Sequence, residues 1–178
     1  MDHQTTVLIA DSSEEFCTAL AAALQRADGF QVVGTAGDGE QAIRLINERK
    51  PQVLVLDEPT AGQDFRHYTD IMEFLRGLNA QGVTVVMITH DMHLMLEYTQ
   101  RALVFCDGEL IADRSPAGVL CDPALIQQAA LKETSLYTLA NRCGIAPAQE
   151  FVERFIAQDR GVREHGRSNC FELSPAGE

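Results

Sequence analysis

The chain has 178 residues, 46% of them apolar and 22% charged, with a formal net charge of −12. That length suits one domain, or one domain with a helical appendage, and the apolar share can bury a real core. The acidic balance argues against sequence-independent nucleic-acid binding and against docking on anionic membranes, and no apolar run approaches the roughly 20 residues that span a bilayer.

In chain order, Val7 to Ala10 is a short continuous apolar run, the pattern of a parallel strand buried on both faces. Ser12 and Glu15 have the spacing of a capping box, and Phe16, Leu20 and Leu24 then mark one helical face. Asp28-Gly29 ends that helix, and Phe30 to Thr35 reads as a second strand. Asp38 and Gln41 repeat the capping pattern before the stripe Ala42, Ile43 and Ile46. Pro51 stops the helix, and Val53 to Leu56 is a third strand running into Asp57.

The alternation continues. Phe65, Tyr68, Ile71, Met72, Leu75 and Leu78 give an amphipathic helix closed by Gly82. Val83 to Ile88 is a β-branched strand, and a helix should start near Asp91. Ala102 to Phe105, Asp107-Gly108 and Glu109 to Ala112 form a hairpin pattern with a favoured turn dipeptide. Ser115-Pro116 and Asp122-Pro123 place a capping residue before a proline at the first helical position. Helices follow over Ser135 to Arg142 and Pro147 to Gln158, with Gly144 as a C-terminal cap between them. From Arg160 onward the sequence is polar and aperiodic, which predicts a mobile tail.

The predicted fold is α/β: a doubly wound, five-stranded parallel sheet of flavodoxin-like order 2-1-3-4-5, with a β-hairpin extension and C-terminal helices. In such sheets ligands gather at the carboxyl ends of strands, so Asp11, Asp57 and the Thr89-His90 pair should converge. Asp11 and Asp57 together suit a hard cation such as Mg²⁺. His90 and His93 lack the further ligands that a metal site needs. Met87, Met92 and Met95 are core filler. The five cysteines (Cys17, Cys106, Cys121, Cys143 and Cys170) are odd in number and widely spaced, as expected of free thiols in a reducing, cytoplasmic setting. Met1-Asp2-His3-Gln4 lacks the basic start of a signal peptide.

Two resemblances attach to these residues. Val7-Leu8-Ile9-Ala10-Asp11, Phe30-Gln31-Val32-Val33-Gly34, Asp38-Gly39-Glu40-Gln41-Ala42 and Pro51-Gln52-Val53-Leu54-Val55-Leu56-Asp57 carry the first. Through them residues 5–57 resemble a response-regulator receiver domain of the sporulation type. The resemblance implies Asp57 as phosphoacceptor from a histidine kinase, Asp11 as half of an acidic pair for Mg²⁺, and Thr89 as the switch hydroxyl. Ser12 stands where the second acid is expected. Phe105-Cys106-Asp107 offers no cation where receivers place a lysine.

Residues 53–140 resemble the C-terminal half of an ABC transporter ATPase of the energy-coupling factor type. Leu56-Asp57-Glu58-Pro59-Thr60-Ala61-Gly62-Gln63-Asp64 is similar to its Walker B strand and D-loop. Ile88-Thr89-His90-Asp91 is similar to its switch-histidine strand. That resemblance implies Glu58 as the residue polarising water, Asp64 as the D-loop acid and His90 as the γ-phosphate sensor. The chain contains no G-x-x-x-x-G-K-[ST] and no Leu-Ser-Gly-Gly-Gln, so nothing cradles the phosphates of ATP and these residues read as vestigial.

The sequence therefore reads as a hybrid, engineered or recombined, with no complete active site and no ATP hydrolysis. Residues 1–57 form its receiver-like half and 58–114 an ABC-ATPase-like half completing the same sheet. Residues 115–159 form a helical extension and 160–178 a disordered tail. The alternatives are a degenerate phosphorelay receiver that binds Mg²⁺ weakly and is phosphorylated at Asp57, or an ATP-binding remnant that associates with a complete ABC ATPase. Self-association is a further expectation, because the missing ATPase half would leave surfaces uncovered.

Overall fold

A computed structural model describes residues 4–168, and these divide after His90 into two compact units. In the first unit β1 (Thr5–Ala10), α1 (Glu14–Arg26), β2 (Phe30–Ala36), α2 (Gly39–Arg49), β3 (Val53–Asp57), α3 (Phe65–Ala80) and β4 (Thr84–Ile88) alternate as anticipated. The strands form one four-stranded parallel sheet of order β2-β1-β3-β4. Successive side chains of a strand face opposite sides, so Val7 and Ile9 pack with Cys17 and Leu20 of α1, while Ala10 packs with Ala42 of α2 and Leu56 of β3. Leu8 and Leu54, at the sheet centre, are fully buried.

Helix starts follow the sequence cues. Asp38 caps α2 by accepting from the Gln41 N–H, and Gln41 reaches back to the Gly37 N–H. In α1 the cap is Ser13, whose hydroxyl accepts from the Phe16 N–H, and not Ser12. The reason lies one residue earlier: Asp11 Oδ1 accepts the Ser13 N–H at 2.5 Å, which turns the chain first and delays the helix by one position.

The second unit contains α4 (Met92–Tyr98), β5 (Ala102–Cys106), β6 (Glu109–Arg114), α5 (Pro116–Leu120), α6 (Pro123–Gln128), α7 (Ser135–Arg142) and α8 (Ala148–Ser168). Its core joins Leu96, Ala102, Val104, Ala112, Val119, Leu120, Leu125 and Val152. Asp107 and Gly108 take φ values of 51° and 81°, the left-handed pair that a tight two-residue hairpin turn requires. Ser115, Asp122 and Thr134 cap α5, α6 and α7. Gly144, at φ 64°, ends α7 as the sequence suggested.

Two expectations are corrected here. The fifth strand does not extend the parallel sheet: β5 pairs antiparallel with β6 in a separate two-stranded sheet. Its residues alternate, Ala102 and Val104 buried against Leu103 and Phe105 exposed, which is the pattern of a hairpin covered on one face. The second correction concerns the polar stretch from Arg160. Helix α8 runs on to Ser168, and the Arg160 guanidinium donates to the Leu96 carbonyl at 2.9 Å. Once a helix is nucleated each further residue adds a hydrogen bond, so glycine weakens it without ending it. The rest of the expected tail, 169–178, lies outside the described residues.

Candidate functional site

The register of the first sheet assembles the site. Ala10 is level with Leu56, and Asp57 with Ile88, so Asp11, Asp57 and Thr89 leave their strands on the same edge. Asp11 is fixed from both sides: its N–H donates to the Ala36 carbonyl at 3.0 Å while its carboxylate takes the Ser13 N–H.

Asp57 is half-buried at the end of β3. Burial pushes its carboxyl above the ordinary aspartate value, and the neighbouring Asp11 and Glu58 carboxylates push the same way. The Glu58 N–H, which also donates to the Ile88 carbonyl at 2.9 Å, offsets this in part.

Glu58 has φ 42°, a left-handed conformation that costs a non-glycine residue about 1 kcal/mol or more. Its carboxylate gathers the end of β4. Oε1 accepts the His90 N–H at 2.9 Å and lies 2.6 Å from His90 Nδ1, while Oε2 accepts the Thr89 hydroxyl at 3.4 Å. A carboxylate at Nδ1 selects the tautomer with the proton there, which leaves Nε2 as the ring's acceptor. The His90 side chain is 88% exposed.

Asp64 stands apart in role. It caps α3, accepting the His67 N–H and the His67 ring nitrogen, each at 2.9 Å. These bonds hold its carboxyl below the ordinary range. The sequence located Glu58, Thr89 and His90 separately and missed that one carboxylate joins them. The available signal was that Asp-Glu and Thr-His end two consecutive parallel strands.

Chemically, this edge offers two mutually repelling aspartates beside a glutamate–histidine pair. Among the described residues no group of three or more His, Cys, Asp or Glu side chains could hold a metal ion.

The geometry can now be set beside known proteins. No family model matches the chain. An ABC transporter ATP-binding protein, so named, of Enterococcus faecalis (strain ATCC 700802 / V583) is 62% identical over 114 residues, 64% of this chain. Over that stretch the chain resembles ABC transporter ATP-binding proteins. It spans only 20% of the relative's length. The similar protein CPE1583 of Clostridium perfringens is 56% identical over 113 residues, again 20% of its length.

Structural neighbours include both resembled families. The structure of cbiO1 from Clostridium perfringens, part of the ABC transporter complex cbiONQ, aligns at 30% identity with a TM-score of 0.42, covering 56% of this chain and 40% of that one. The response-regulator domain of Thermotoga maritima CheB aligns at 19% identity with a TM-score of 0.36, covering 49% of this chain and 78% of that one.

Proposed function

We propose that this chain is a hybrid α/β protein in which a receiver-like half and an ABC-ATPase-like segment meet at Asp57, and that it carries no complete phosphoryl-transfer site. The observation supporting this most directly is the crowding of Asp11, Asp57 and Glu58 at one strand edge, with the Asp57 carboxyl raised by burial and by both neighbours. A transferred phosphoryl group is stabilised by positioned cations and backbone donors. Three carboxylates without a P-loop present the opposite charge. Glu58, already engaged by Thr89 and His90, acts as a brace between the ends of β3 and β4. His90 and Asp64 are then remnants, the latter retained as a helix cap.

A second reading is favoured by the position of Asp57 beside Asp11 and by Thr89 at the end of β4. It makes the protein a degenerate receiver that holds Mg²⁺ weakly through Asp11 and Asp57 and is phosphorylated slowly at Asp57 by a histidine kinase. The ion would offset repulsion between the two carboxylates, while Thr89 would exchange Glu58 for a phosphoryl oxygen. The relatives are named for ATP binding in transporters, so association with a complete ABC ATPase is a further reading. Among the described residues no helix is long and apolar enough to cross a membrane. A cytoplasmic location belongs to the proposal.

One experiment separates these accounts. The intact mass of the protein is measured after incubation with Mg²⁺ and acetyl phosphate, beside Asp57→Asn, with ATP turnover assayed in parallel on the parent and Glu58→Gln. The hybrid account expects no adduct in either protein and turnover at the buffer rate in both. A single added phosphate on the parent, absent from Asp57→Asn, would transfer the lead to the receiver reading. Turnover by the parent that Glu58→Gln abolishes would overturn the hybrid account.

A further inference from the structure

We infer that the end of β4 is a binding site for a small carboxylate, which Glu58 keeps closed by filling it with its own side chain. Three donors converge there. The His90 N–H lies 2.9 Å and His90 Nδ1 2.6 Å from Glu58 Oε1, while the Thr89 hydroxyl lies 3.4 Å from Oε2. Together they meet both oxygens of one planar carboxylate.

The sheet, and not Glu58, sets these donors in place. β3 and β4 stay in register from Val53–Thr84 to Asp57–Ile88, and the Glu58 N–H adds one further bond to the Ile88 carbonyl. Thr89 and His90 follow directly from that paired end. Their main-chain positions should therefore survive loss of the Glu58 side chain. Glu58 itself is strained: φ 42° suits glycine and persists in other residues only where the surroundings impose it. The bonds to its carboxylate oppose that strain, since hydrogen bonds to an ionised group are among the stronger ones.

Charge and shape select the ligand. The donors already fit the two oxygens of a single carboxyl group. The Asp57 carboxylate is close enough to Glu58 to be repelled by it, and Asp11 repels Asp57 in turn. A monoanion such as acetate meets less of that repulsion than a multiply charged anion such as phosphate. In the parent, a side chain tethered beside its donors acts at high effective concentration, so a free carboxylate competes poorly. Removing the side chain should open the site. No phosphoryl transfer enters, so the site and the hybrid account stand or fall separately.

The test is an acetate titration of the parent, Glu58→Gly and Glu58→Gly/His90→Ala at fixed pH, with sodium chloride holding the ionic strength constant. The NMR signals of the Thr89 and His90 amides report binding. Glycine suits φ 42°, so Glu58→Gly removes the plug without adding backbone strain. Glu58→Ala, run beside it, removes the plug with less chain freedom and should bind alike. The His90 side chain is 88% exposed, so its truncation takes away no core packing. Glu58→Gly should show saturable shifts, half-complete at ~10–100 mM acetate. The parent should need at least ~10-fold more, and so should the double variant, which lacks the closest donor. A folded Glu58→Gly or Glu58→Ala protein without saturable shifts would overturn the inference. So would equal binding by the parent or by the double variant, or tighter binding of phosphate than of acetate.

Discussion

At the scale of single residues, Asp57 carries a pH dependence with a definite sign. Burial, Asp11 and Glu58 all raise its carboxyl pKa, so the folded chain holds that proton more tightly than the unfolded chain does. Its stabilising contribution is present below the ordinary carboxylate range and is lost as pH rises through the raised value. Asp57→Asn, which removes the repelled charge, should melt roughly 1–3 °C above the parent at pH 7. The gain should shrink toward zero as acid protonates the parent's Asp57. Equal melting at pH 7 would show that the three carboxylates do not interact. Much of this site was legible beforehand, because a parallel sheet sends the residues after its strands to one edge; hence Asp11, Asp57, Thr89 and His90. The brace through Glu58 was not legible. It depends on a left-handed backbone at a non-glycine residue, and no periodicity reports that.

At the scale of elements, capping chemistry was the most readable signal, and Thr134 shows why it matters. Thr134 is 1% exposed, and its hydroxyl accepts the N–H of Tyr137, itself buried, at 3.4 Å. Thr134→Val keeps the shape of the side chain and removes the acceptor, stranding that N–H away from water. Loss of a cap with a buried unmet donor should cost about 1–2 kcal/mol, seen as a lower urea midpoint with an unchanged slope. Thr134→Ser should recover most of it. What the elements concealed was partnership. Ala102 to Cys106 is apolar throughout, so it reads equally well as a central parallel strand or as a hairpin arm. Only the alternating burial of Ala102 and Val104 against Leu103 and Phe105 separates these, and that follows from tertiary packing. The cap of α1 slipped by one residue for a related reason: the Asp11 side chain competes for the Ser13 N–H.

At the scale of the whole molecule, the division after His90 sets a limit on how damage spreads. The cluster built around Val7 and Ile9 draws on β1, α1, β2 and β3, all within the first unit. The cluster around Leu120 and Val152 draws on α4, the hairpin and the helices after it, all within the second. Leu120 is fully buried, so Leu120→Ala removes packing that neighbours recover only partly, at a cost of about 2–5 kcal/mol. If each cluster supports its own unit, the loss stays local. Amide hydrogen exchange should quicken by more than ~10-fold over β5, β6 and α5 to α7, following local stability. The amides of β1 and β3 should keep their protection. Uniform acceleration across both units would mean that the chain folds as one cooperative body. Confinement to the second unit would mean that the parallel sheet keeps its own stability while the hairpin and helices stand on a separate core.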